Sequence, residues 1–301
     1  MVSLAVCLLV TSCGNPFKDF KIESFEIVQL KENGANAATA FVELGLDNPV
    51  AAFELSGISA ILKIDGQEYA RLTTPESEKL IISKGKQKQH FSTDVHLCEG
   101  VNPFLILSVL QTINGPSLKL DIEARAAVRG GAGARLKISK DLSDKDFGAY
   151  VKKYVSGMTF NKVLKDLKIT KLQLQGGVTD FDVVSVTAPE GTRSFESELR
   201  LGLDIKDVPL KDGLIVSDIC ADLNMDSETF AVISSRERQS IEAADKIYAI
   251  VISGDMKDDF NPCMLLSLLK EDKPRIFLTG SLLVDLGFKI KLPFTFPKAS
   301  M

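Results

Sequence analysis

The chain predicts an all-β protein: two tandem antiparallel β-sandwiches, each with one short helix, joined by a connecting helix. Three observations carry this. Apolar and polar residues alternate along most of the 301 residues, the period of a strand with one wet face. The same landmarks occur twice in the same order, so the chain reads as a duplication. The helical signals are few and short.

The duplication organises the rest. Phe17-Lys18-Asp19-Phe20-Lys21-Ile22 is echoed by Leu164-Lys165-Asp166-Leu167-Lys168-Ile169, an offset of 147 residues. Leu44-Gly45-Leu46-Asp47 returns as Leu201-Gly202-Leu203-Asp204, an offset of 157. Asn102-Pro103 and its apolar run Phe104 to Leu110 return as Asn261-Pro262 and Cys263 to Leu269, an offset of 159. The jump between the first two offsets implies an insertion of about ten residues in the second copy. Gly176 to Arg193, with its Gly and Pro residues, reads as that insertion and as the place where a binding surface specific to one copy would lie. The implied boundaries are 13–140 for the first sandwich, 141–163 for a connecting helix and linker, and 164–301 for the second sandwich. Each copy is long enough to be a domain.

The elements follow in order. The first strand of each copy slips phase once, between Ile22 and Phe25 and between Ile169 and Leu172. That predicts a β-bulge near Glu23-Ser24 and another near Thr170-Lys171. Val42, Leu44 and Leu46 alternate, as do Leu199, Leu201 and Leu203. Ile58, Ala60, Leu62 and Ile64 form a strand ended by the hairpin dipeptide Asp65-Gly66. Phe91, Thr93, Val95 and Leu97 form the next. Pro103 to Ile113 and Pro262 to Leu269 are helices with Asn as N-cap and Pro at the first position. Ser117 to Val128 alternates, with Leu118, Leu120, Ile122, Ala124, Ala126 and Val128 on one side, and pairs with Ala134 to Ile138 across Arg129 to Gly133. Ser143 to Val155, with Ser143 and Asp146 at capping spacing, is the connecting helix; Phe147, Val151 and Tyr154 share a face. In the second copy Ile276, Leu278, Gly280, Leu282 and Val284 alternate, then Phe288, Ile290 and Leu292.

Composition excludes some functions. At 45% hydrophobic and 25% charged the chain is globular, and its net charge of −4 argues against nucleic acid as a partner. Lys84-Gly85-Lys86-Gln87-Lys88 and Lys152-Lys153 read as solvated faces. Cys98, Cys220 and Cys263 are an odd set with no Cys-x-x-Cys, so they read as buried free thiols rather than a disulfide framework or zinc site.

Met1 to Val10 is almost wholly apolar, though Met1 to Leu9 lacks Lys and Arg. Val10-Thr11-Ser12-Cys13 resembles the lipobox of bacterial lipoprotein signal peptides. The resemblance implies a signal peptide over 1–12, cleavage before Cys13, and lipidation of Cys13. The stretch is too short to span a bilayer. Gly14 is not Asp and no acidic run follows, so the expected location is the cell envelope, at the periplasmic face of the outer membrane, with the membrane as partner through the anchor.

The order strand, Leu46-Asp47-Asn48-Pro49, strand, Asp65-Gly66-Gln67-Glu68-Tyr69-Ala70, loop, strand resembles the late embryogenesis abundant type 2 family, which includes the water-stress and hypersensitive-response domain. Leu292-Pro293-Phe294-Thr295-Phe296-Pro297 resembles its closing segment. The likeness covers Phe17 to Ile138 well and Leu164 to Met301 more loosely. In the second copy Ile205-Lys206 replaces Asn48-Pro49, and Asp212-Gly213 comes too early to match Asp65-Gly66. The resemblance implies an immunoglobulin- or fibronectin-like β-sandwich without known catalysis and a role in stress tolerance, by protection or by binding apolar partners.

No catalytic, metal-binding or cofactor-binding constellation emerges. His90, Asp94 and His96 share one strand face, but at ~3.3 Å per residue His90 and His96 stand about 20 Å apart. The Gly130 to Gly133 run lacks the Lys-Ser/Thr of a phosphate loop. Asp255, Asp258 and Asp259 lack calcium-loop spacing. The expectation is therefore a non-enzymatic, lipid-anchored envelope protein that binds or scaffolds, with an apolar ligand or an envelope protein as partner and no cofactor. Glycan binding is the alternative and an uncharacterised hydrolase a third reading. Without Trp and with four Tyr, the chain is short of the aromatics a glycan platform uses.

Overall fold

Alternation this regular leaves each strand one apolar face, and the computed structural model buries those faces inside two antiparallel sheets folded into tandem all-β sandwiches. It describes residues 20–49, 52–112, 114–128, 133–143, 147–164, 172–206, 214–241, 246–270, 272–285, 287 and 289–296. The first copy comprises β1 (Lys21–Glu32), β2 (Ala37–Asn48), β3 (Phe53–Ile64), β4 (Gln67–Thr73), β5 (Lys79–Ile82), β6 (Gly85–Leu97), β7 (Leu118–Val128) and β8 (Gly133–Asp141). The second comprises β9 (Thr159–Leu164), β10 (Leu172–Thr187), β11 (Ser194–Lys206), β12 (Leu214–Met225), β13 (Glu228–Ser235), β14 (Gln239–Ile241), β15 (Lys246–Met256), β16 (Ile276–Asp285) and β17 (Lys289–Phe296).

The strand orders are β1-β2-β6-β4-β3-β7-β8 and β9-β10-β11-β15-β13-β12-β16-β17, with β5 on β3 and β14 on β12. From β10 onward the second order repeats the first strand for strand, so the duplication is structural. Among the described residues β9 has no counterpart in the first copy, and the second sheet reaches back to Thr159.

Register corrects the alignment of the copies. β1 is matched by β10, not by Leu164 to Ile169, of which residues 165–169 lie outside the described residues. The predicted bulge at Glu23-Ser24 is present, as a register shift between Ile22 and Ser24. Its equivalent falls between Val178 and Asp180, whereas Thr170-Lys171 lies outside the described residues. Gly45 faces Ser24 and Gly202 faces Asp180 across these bulges. A Cβ on Gly202 would come within 3.0 Å of the Asp180 backbone nitrogen, which explains why Leu-Gly-Leu-Asp recurs. The offset is thus almost constant, and no insertion separates these landmarks. Gly176 to Thr187 is strand, paired with β11 along its length; only the turn between Thr187 and Ser194 is loop. The Gly and Pro content had suggested a loop, but Gly176 and Gly177 sit inside the ladder where β9 and β11 flank β10.

The hairpin at Asp65-Gly66 also has a counterpart that dipeptide matching misses. Asp65 and Asp226 both have positive φ, 49° and 55°. Each carboxylate accepts a backbone N–H, from Ser117 at 2.7 Å and Arg275 at 2.9 Å. The second turn is Asp226-Ser227; Asp212-Gly213 lies outside the described residues.

Both Asn-Pro segments are 3₁₀ helices, Pro103–Leu110 and Pro262–Leu269, capped as expected: the Asn102 and Asn261 side chains accept the N–H of Phe104 at 2.8 Å and of Cys263 at 3.0 Å. The first ends at Leu110, short of Ile113. The connecting helix, α1, runs over Phe147–Val155. The Ser143 hydroxyl is engaged elsewhere, accepting the Leu118 N–H at 3.0 Å, and Asp146 lies outside the described residues.

The two helices are exchanged. The first Asn-Pro helix packs on β10 of the second copy, and the second packs on β1, β2 and β6 of the first. The Asn102 amide donates to the carbonyls of Pro189 at 2.9 Å and Ser194 at 2.7 Å, and meets the Thr192 hydroxyl oxygen at 2.9 Å. The Asn261 amide donates to Gly34 and Ala37, both at 2.8 Å. These acceptors are the matching β10–β11 and β1–β2 turns. Each Asn caps its own helix and fastens it to the other copy. One apolar core therefore runs from the first sandwich through both helices into part of the second, where the Phe104 and Phe195 rings pack at a tilt of 48° with centroids 4.6 Å apart.

Candidate functional site: an apolar cavity in the second sandwich

The inward faces of the two copies meet different fates. In the first, Phe25, Val42, Leu44, Ile58 and Phe91 close over a space of about 10 Å³. In the second, the equivalent Phe181, Leu199, Leu201, Ile219 and Ile250 line a cavity of about 510 Å³. That volume falls in the ~300–1,000 Å³ range of small-molecule sites. Val42 and Leu44 are 1% and 3% exposed, whereas Leu199 and Leu201 are half-buried.

Two replacements remove volume from the centre. Register sets Phe91 against Ile250 and Ile122 against Gly280. Gly280 admits no replacement, because a Cβ there would meet the Cys220 carbonyl and Ala221. Elsewhere the second copy is bulkier, with Leu282 at the place of Ala124 and Ile252 at that of Thr93, so trimming alone does not hollow it. The edges differ as well. In the first copy β1 and β8 come into contact. In the second, β9 pairs the outer edge of β10 and α1 leans on that strand, contributing Tyr150, Val151, Tyr154 and Val155 to the cavity wall. The face shared by Val151 and Tyr154 is thus used on the cavity.

α1 is held by charge. The Lys152 ammonium reaches Asp180 at 2.9 Å and Asp182 at 3.0 Å on β10. Those hydrogen bonds raise the Lys152 pKa, and the bond from Lys152 lowers that of Asp180. The Thr112 hydroxyl donates to the same Asp182 at 2.9 Å, tying the end of the first Asn-Pro helix to the wall.

The cavity is almost entirely apolar. Its described polar side chains are few: Tyr150, Tyr154, Ser197, Thr295 and Arg275, and the Ser197 hydroxyl donates to the Ser185 carbonyl at 2.9 Å. A dry apolar cavity takes apolar guests, and each methylene moved into it from water gains ~0.8 kcal/mol. Alternation located the lining residues without showing that they enclose space.

The remaining sequence candidates sit elsewhere. Cys13 and the signal segment lie outside the described residues. His90 binds Glu43 at 2.8 Å on the surface of the first sandwich, and Lys88 shares that carboxylate, lowering its pKa. His96 is exposed further along the strand. Among the described residues no group of three or more His, Cys, Asp and Glu side chains is placed to hold a metal ion, and no helix is long and apolar enough to cross a membrane. Cys98, Cys220 and Cys263 are free thiols, but only Cys263 is buried; Cys98 is half-buried and Cys220 exposed. Cys220 stands in the outward phase of β12, between the cavity-lining Ile219 and the buried Ala221, so its apolar neighbours do not cover it. Burial pushes the Cys263 thiol up to about 11, and its Sγ donates to the Asn36 carbonyl at 3.3 Å.

No protein-family model matches this chain, and no curated protein matches it.

Proposed function

We propose that this protein is a non-enzymatic, lipid-anchored protein of the bacterial cell envelope whose second sandwich carries an apolar ligand. The observation behind this reading is the 510 Å³ apolar cavity in one copy, set against the filled core of the other. A fold maintained twice with one interior left open is what a carrier built on a structural partner would look like. Cys13, read as lipidated, would hold the cavity near a source of apolar molecules, at the periplasmic face of the outer membrane. The kinship with late embryogenesis abundant type 2 proteins is part of the proposal and rests on Asn48-Pro49, Asp65-Gly66 and the closing Pro293-Phe294 segment; a stress-protective role would be the consequence of holding apolar molecules.

The test is extraction from native membranes followed by organic extraction and mass spectrometry. An apolar molecule should copurify near one per chain, and the mature amino terminus should be an acylated Cys13. A protein that copurifies with no apolar molecule, and takes up none when exposed to lipid vesicles, would sink the carrier reading. An unmodified Cys13 would sink the anchor.

A further inference from the structure

We infer that the ligand is a single-chain amphiphile with an anionic head, a carboxylate or phosphate, seated at Arg275; this rests on the carrier reading above. A cavity of ~150 Å³ holds a benzene-sized guest. The 510 Å³ here is a little over three times that, room for about twenty carbons on the same scale, one acyl chain rather than two. Among the described lining residues Arg275 is the only charged side chain. It is exposed at the start of β16, where the lining meets solvent. Asp226 beside it is engaged, its Oδ1 accepting the Arg275 backbone N–H at 2.9 Å. Two residues earlier Lys273 sets its ammonium 4.7 Å from the rings of both Phe147 and Tyr150, and Tyr150 itself lines the cavity. Arg275 thus lies on the lining itself, with Lys273 close by on the aromatic faces of Phe147 and Tyr150. A guanidinium offers a planar fork to carboxylate or phosphate oxygens, and a few polar groups at an apolar pocket fix the ligand's orientation.

The experiment uses the full chain stripped of copurifying lipid. Oleate, oleoyl lysophosphatidate and oleyl alcohol, each below its aggregation concentration, compete with a neutral fluorescent probe at low ionic strength. Both anions should bind about tenfold or more tightly than the alcohol. Arg275→Met combined with Lys273→Met should bring the anions to the level of the alcohol while leaving the alcohol's affinity unchanged, which also shows that the cavity is still folded. A preference between the two anions identifies carboxylate or phosphate as the natural head and supports the inference either way. Equal binding of all three by the unsubstituted protein overturns the anionic head and leaves the cavity reading standing. An anion preference that survives the double substitution overturns the assignment to Arg275. Binding of none of the three removes the carrier reading, and this inference with it.

Discussion

In the first sandwich Val42, Leu44 and Ile58 are almost wholly covered; in the second the residues at the same places, Leu199, Leu201 and Ile219, remain half-buried around open space. Strand order, bulge positions, turn geometry and helix caps are shared, so the difference does not lie in topology. It lies in what reaches the centre and what holds the edges. Phe91 and Ile122 fill the first interior, Ile250 and Gly280 do not fill the second, and β9 with α1 occupies the edge that would otherwise close. Duplication has left one copy as a packed body and the other as a container. The exchanged Asn-Pro helices let the packed copy brace the hollow one.

The largest expected effect separates the two interiors directly. Leu44→Ala in the filled copy should cost ~2–5 kcal/mol, the range for a buried leucine that leaves a cavity. Leu201→Ala, at the matching place in the hollow copy, removes a side chain already in contact with open space. It should cost less than half as much. Urea unfolding of both variants checks this, and equal losses would mean that the second interior is packed after all.

The helix exchange comes next. Asn102→Ala and Asn261→Ala each remove an N-cap and the amide donor to carbonyls of the other copy, of which Pro189 and Ala37 keep a second donor, at a cost of ~1–3 kcal/mol. With two N–H hydrogens each, the Asn102 and Asn261 amides can satisfy two acceptors at a time, so the two substitutions should cost about the same, but only Asn102→Ala should loosen the cavity wall as well. Hydrogen exchange across β10 and β11 would report that. Loss confined to the helix itself would argue that the Asn residues are caps and nothing more.

A smaller change converts one copy toward the other. Ile250→Phe restores at the centre of the second sandwich the ring that Phe91 supplies in the first. It should lower affinity for a long-chain probe about tenfold, as ~1.4 kcal/mol of lost chain burial would, with stability unchanged or slightly raised. Retained affinity would place the ligand elsewhere.

How much of this was legible in the sequence depends on what each signal reports. Alternation at Leu118 to Ala126 names an inward face, and those residues are inward. It cannot say whether the opposite face arrives, so Leu199 and Leu201 looked the same as Val42 and Leu44. Asn102 and Asn261 announced helix caps through local spacing, but their long-range partners, 87 and 227 residues away, leave no local mark. Matching by residue type misplaced the first landmark by one strand, because Leu164 to Ile169 resembles Phe17 to Ile22 in composition while β9 is an addition. A shared backbone need, the close approach at Gly45 and Gly202, was the more faithful guide. So was the positive φ at Asp65 and Asp226, which no dipeptide search recovers because Ser227 stands where Gly66 does.

The smallest expected effect concerns the wall that only the hollow copy has. Lys152 joins α1 to Asp180 and Asp182, but its side chain is 43% exposed and that of Asp180 38%. Solvent screening holds the Asp180 pair to less than ~1 kcal/mol, and the Asp182 carboxylate, 10% exposed, keeps the Thr112 hydroxyl as a donor, so Lys152→Met should destabilise by about 1 kcal/mol. The pH dependence is more telling than the size. Asp180 is more acidic in the folded protein, chiefly because Lys152 hydrogen-bonds it. Its contribution is therefore present above the ordinary aspartate value of ~3.9 and lost as pH falls through the lowered folded value. The folded Lys152 is more basic, chiefly through Asp180 and then Asp182. Its share is present below ~10.4 and lost as pH rises through the raised value. Between those limits the clamp is constant, so a cavity wall held in this way should not respond to pH near neutrality. Urea midpoints from pH 6 to pH 3 should fall less steeply for Lys152→Met than for the unsubstituted protein. Identical slopes would mean that α1 is held on β10 by its apolar face alone.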